Sequence, residues 1–156
     1  MHTRYALRAY ESVGLETGVA DASPPQLVVM LHEGAVAAIR AARQHLQHGD
    51  VAAKGRAISK AISIIDGGLR ASLDPKVGGP LAGNLLDLYS YMSGRLLEAN
   101  IGNDGAAMDQ VVHLLLQLKS AWETLAENSA ATGPSDLSRH SDPNRHAGIA
   151  AYRVRA

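Results

Sequence analysis

The stretch Ser23–Asp50, SPPQLVVMLHEGAVAAIRAARQHLQHGD, carries both ends of one helix and the start of the next. The Ser23 hydroxyl can cap a helix, Pro24 suits a first helical position where no N–H is needed, and Gln26 stands where a capping box wants it. Gly49 ends this first helix after about His48, and Asp50 can cap a second. The second helix is predicted from Val51 to about Leu73, because Pro75 disfavours helix in the residue before it. Asp74 to Gly79 reads as a loop, Pro80 opens a third helix to about Asn100, and Asn103 or Asp104 caps a fourth that ends near Glu127. Four helices of roughly 20–25 residues joined by short loops predict an all-α, antiparallel, up-and-down four-helix bundle.

Upstream, residues 1–22 read as a short leader helix bearing Tyr5 and Tyr10, then a linker loosened by Gly14, Gly18 and Asp21. The bundle spans 23–127. From residue 128 to 156 the chain is rich in Ser, Asn, Gly, Ala, Arg and His without helical period, the composition of a disordered tail. The tail carries Arg139, Arg145, Arg153 and Arg155 against Asp136 and Asp142, a formal charge of about +2.

Composition narrows the function. The 156 residues are 46% apolar, enough for one packed domain, but they include no Phe and one Trp, so aliphatic side chains must fill the core. Fifteen basic and fifteen acidic side chains leave no net field to gather nucleic acid or anionic lipid. There is no cysteine, which removes disulfides, thiol catalysis and thiolate metal sites and suits a reducing compartment. No run approaches a membrane span and the first residues lack a signal-peptide core, so cytoplasmic residence is expected. His45 and His48 lie one turn apart near Asp50, but they sit at a helix end, where such residues complement the dipole, and no metal site is expected. His32 and Glu33 are adjacent on a helix and point apart, which is poor for acid–base work. No catalytic pair, nucleophile elbow or phosphate-cradling loop is present, so neither an enzyme nor a cofactor is expected.

Apolar residues on the second and third helices exceed one stripe. Gly55, Ile58, Ile62, Ile65, Leu69 and Leu73 form one face of the second, with Ala57, Ala61, Ile64 and Gly68 beside it. On the third, Leu81, Leu85, Leu88, Met92 and Leu96 mark a face widened by Leu86, Tyr89 and Leu97. By periodicity alone, ordinary core packing is the stronger reading, and a groove for a partner helix is the sharper one. Gly67 and Gly68, each costing on the order of 1 kcal/mol in a helix, fit close backbone approach or a bend.

Several segments, in order, resemble the flagellar secretion chaperone family FliS. They are the leader tyrosines with Ala9 before Tyr10, the Ser23–Pro24 start followed by Leu27, Met30, Leu31, Glu33, Gly34 and Ala35, the stretch KGRAISKAISIIDGGLRASL (Lys54–Leu73), and LLDLYSYMSGRLLEAN (Leu85–Asn100). His32 departs from the Tyr or Phe common there, and Gly18 to Asp21 lengthen the linker. The resemblance implies a cytoplasmic export chaperone that binds the C-terminal segment of flagellin, prevents its premature polymerisation, and reaches the flagellar type III export gate through the client complex. The leader would occupy the groove when it is empty. On this reading the client-binding residues are Tyr5 and Tyr10 with Ile58, Ala61, Ile62, Ile65 and Leu69 of the second helix and Leu85, Leu88, Tyr89 and Met92 of the third. Which stripe of each helix faces the client stays open. The alternative is a structural or regulatory helical module that self-associates, as a weak homodimer, through the same faces.

Overall fold

The computed structural model describes residues 22–131, with side chains through residue 128. Tyr5, Tyr10 and most of the expected leader and tail lie outside the described residues. Every regular element within them is helical: α1 (Pro24–Gln47), α2 (Val51–Ile64) continued by a π-helical segment (Ile65–Arg70), α3 (Pro75–Gly102) and α4 (Gly105–Ala131).

The caps are those the sequence predicts. Ser23 and Gln26 form a reciprocal capping box, with Ser23 N–H donating to Gln26 Oε1 at 2.9 Å. Asp50 accepts from Ala53 N at 3.0 Å and starts α2, while Gly49 turns the chain at φ +72°. Asn103 closes α3 in the left-handed conformation, and Asp104 accepts from Ala107 N at 3.1 Å to start α4. Two boundaries differ from expectation. Asp74 caps an extra helical turn at Pro75, which breaks at Gly79 (φ 58°, ψ −142°) before Pro80 resumes the helix. At the other end α4 continues past Glu127 to Ala131, through two alanines of high helix propensity.

The end of the second helix is also not the regular α-helix predicted to Leu73. From Ile65 the backbone widens, and Ala71 N–H donates to Asp66 O, five residues back. The glycine pair accounts for this segment in two ways. A Cβ on Gly68 would lie 2.8 Å from Leu31 Cδ2, so the missing side chain lets α2 approach α1 closely. Gly67 faces open space and contributes only low helix propensity, which favours the wider turn.

α1 packs most extensively against α2 and α4, and α3 lies diagonally across from it, seated between α2 and α4. Neighbours run antiparallel: Glu33 and Arg43 of α1 pair with Lys119 and Asp109 of α4, in reversed order. The core is aliphatic, built on Leu27, Leu31, Ile39, Ile58, Ile64, Leu96, Met108 and Leu115, with Ala35, Ala42, Ala61 and Ala99 where helices come close. Each fully buried Leu or Ile contributes roughly 1.5–3 kcal/mol. Tyr89 and Trp122 are its aromatic members.

Candidate functional site

α2 lies between α1 and α3, so both of its apolar stripes are used for packing. Ile58, Ile65, Leu69 and Leu73 of one stripe and Ala61, Ile64 and Gly68 of the other are all buried. Four residues expected on a client-facing surface, Ile58, Ala61, Ile65 and Leu69, are therefore interior, and so are Tyr89 and Met92 of α3. Both stripes of α2 turn inward, where they pack against α1 and α3. Ile62, Leu85 and Leu88 are half-buried and keep an outward face. Tyr5 and Tyr10 fall outside the described residues.

The surplus lies on α3, whose outer side keeps large apolar side chains. Leu81, Tyr91, Leu97 and Ile101 are 40%, 47%, 53% and 86% exposed, and Leu85, Leu86 and Leu88 are half-buried. Two bonds fix the rotation of this helix. Arg95 Nε donates to Gln110 Oε1 at 3.1 Å, so the flank that holds residue 95 faces α4. Ser93 Oγ donates to Asp66 Oδ1 at 2.7 Å, so the flank that holds residue 93 faces α2. By helical register Leu81 and Leu88 lie within about 40° of Arg95, on the α4 side, and Leu85 falls midway between that flank and the one that holds Ser93. On α4 the half-buried Leu114, Leu118 and Leu125 follow Gln110 onto the α3 side. The α3–α4 seam is thus bordered by five leucines that are only partly covered, Leu81, Leu88, Leu114, Leu118 and Leu125, with Leu85 at its inner edge. The α4 leucines were missed in the sequence, although VVHLLLQL (Val111–Leu118) is apolar around more than one face.

Beneath this surface are two buried polar links. His32 Nδ1 lies 2.7 Å from Val28 O and Nε2 lies 2.9 Å from the Tyr89 hydroxyl. A carbonyl can only accept, so Nδ1 carries the proton and the neutral ring accepts from Tyr89 O–H at Nε2. Burial lowers the His32 pKa to about 4, the bond to Val28 opposing and the Lys119 charge adding to the shift. Lys54, also buried, donates from Nζ to Asn100 O at 2.9 Å and to Asn103 Oδ1, and so caps the C-terminal end of α3 with a cation.

The α1–α4 face holds two hollows. One, of about 430 Å³, has Ala22, Val29, Met30 and Ala126 as apolar lining and Glu33, Glu123 and Glu127 as carboxylates. The other, of about 420 Å³, is bordered by Arg40, Arg43 and Asp109. No group of three or more His, Asp or Glu side chains that could hold a metal occurs among the described residues, and no helix among them is long and apolar enough to cross a membrane.

Fold and surface together define a helical scaffold whose accessible feature is an aliphatic seam. Residues 6–129 match the profile described as flagellar protein FliS. The chain is 47% identical over 130 residues to the flagellar secretion chaperone FliS of Salmonella typhimurium, an alignment covering 83% of this chain and 96% of that protein. It is 43% identical over 126 residues to the flagellar secretion chaperone FliSB of Pseudomonas aeruginosa (81% and 99% covered) and 41% identical over 135 residues to FliS of Escherichia coli (86% and 99% covered). The chain belongs to the FliS family of flagellar secretion chaperones.

Proposed function

We propose that this chain is a cytoplasmic export chaperone that binds the C-terminal segment of flagellin, keeps it from polymerising, and assists its delivery to the flagellar type III export apparatus. Family membership supports the chaperone role. The observation that carries the client reading is the apolar surplus of α3: Leu81, Leu85 and Leu88, beside the half-buried Leu114, Leu118 and Leu125 of α4, offer an aliphatic surface of the kind that receives one face of an amphipathic helix. A client disordered when free loses about 2–5 kcal/mol on ordering, which a long aliphatic contact offsets. Tyr5 and Tyr10, carried by the leader, compete with the client for this seam. The buried residues Ile58, Ala61, Ile65, Leu69, Tyr89 and Met92 hold the seam's shape from below, and Ile62 extends the apolar surface toward α2.

Titration calorimetry of the full chain with a peptide of the cognate flagellin C-terminal segment tests the reading. A one-to-one complex is expected. A flat titration, with the chain still folded by circular dichroism, would overturn it.

A further inference from the structure

The α1–α4 hollow of about 430 Å³ is separate from the α3–α4 seam and is unlike it in charge. Its lining is apolar, but Glu33, Glu123 and Glu127 stand around it. Lys119 bridges Glu33 and Glu123 at 3.3 and 3.2 Å, so three carboxylates are balanced by one ammonium. Glu127 has no ion-pair partner among the described residues. The groove therefore suits a segment that offers both apolar side chains and cations.

Two segments of the chain are joined to the bundle beside this place. The leader joins at Ala22, which lines the groove, but the side chains of residues 1–21 set Arg4 and Arg8 against Glu11, Glu16 and Asp21 and so offer an acidic rim no net cation. Residues 132–156 have the opposite balance, with four arginines against two aspartates. Both aspartates precede residue 149. The stretch Ile149–Ala156, IAAYRVRA, has two arginines, no acidic side chain, and Ile149, Tyr152 and Val154 as large apolar side chains. Geometry allows the return. α4 ends at Ala131, about one turn beyond Glu127, so the chain leaves the bundle at the mouth of the groove. The 21 residues from there to Tyr152 span up to roughly 70 Å when extended. The family match stops at residue 129, so this segment lies beyond what the FliS relatives share by that measure.

We infer that Ile149–Ala156 folds back into the acid-rimmed α1–α4 groove, with Tyr152 and Val154 against Val29, Met30 and Ala126, and Arg153 and Arg155 on the carboxylates. Alternation along an extended segment sets the apolar pair inward, and the long arginine stems bend to the rim. The inference does not depend on which surface binds flagellin.

Because the chain has no cysteine, Ala151→Cys in the full chain gives a single site for a spin label. Amide signals of Val29, Met30 and Ala126 should be lost by paramagnetic broadening, while those at the far end of the same helices, such as Gln44 and Val112, persist. Glu123→Lys with Glu127→Lys should restore the signals, and so should about 1 M salt, where screening acts within about 3 Å. Unchanged groove amides would overturn the inference. Broadening confined to Leu85 and Leu88, or seen only between separately labelled molecules in a mixture, would overturn it as well.

Discussion

The Tyr89 hydroxyl donates to His32 Nε2 at 2.9 Å, joining α3 to α1 across the diagonal of the bundle. The imidazole is fully buried, and its pKa falls to about 4. Unfolded, His32 takes a proton below about 6.5; folded, it resists until about 4. Stability from this group is thus complete above about pH 6.5 and is lost as pH falls toward 4. Urea unfolding at pH 5 should give a stability about 2 kcal/mol below that at pH 7.5 from this residue. His32→Leu should remove that part of the pH dependence, whatever it does to stability at neutral pH.

The glycine pair should respond in opposite directions. Gly68→Ala drives a methyl group into Leu31 and should cost about 1–3 kcal/mol. Gly67→Ala meets nothing within 4 Å and should stabilise by about 0.5–1 kcal/mol. Thermal melts of the two variants check this, and equal effects would contradict the close approach of α2 to α1.

Lys54→Met removes the donor that holds Asn100 O and Asn103 Oδ1 while keeping most of the buried stem. A loss of about 1–3 kcal/mol is expected, as for polar groups left without a partner. Faster amide exchange should be confined to the last turn of α3 and the start of α4.

Client binding should separate from folding. Leu88→Lys and Leu118→Lys place a charge on the half-buried seam and should weaken the flagellin peptide roughly tenfold or more with the helical signal retained. Ala61→Lys and Ile65→Lys, at positions with 0% exposure, should unfold the bundle instead.

The helices were legible because their punctuation is local: Ser23 with Gln26, Asp50 and Asp104 each act within three residues. The site was less so. Two neighbouring stripes on α2 look like surplus until α2 is seen to have a helix on each side, a fact about topology that periodicity does not contain. Likewise, His32 and Tyr89 stand 57 residues apart in sequence, and Lys54 reads as a solvated lysine until the end of α3 is laid against it. The π-helical turn had a partial signal in Gly67 and Gly68, which fitted close approach and a bend equally well.

The distribution of ties along α3 has a mechanical consequence. Tyr89, Ser93, Arg95 and Asn100 each bond to another helix, whereas residues 75–88 make no side-chain hydrogen bond or ion pair to another helix among the described residues. Gly79 also interrupts the backbone at that loose end. α3 is therefore a lever clamped at its C-terminal half. Its N-terminal half, which carries Leu81, Leu85 and Leu88, is held by apolar packing, with Ala82 fully buried, so amide exchange should slow steadily from Leu81 toward Asn100. A seam tied in this way should open like a jaw rather than part evenly along its length.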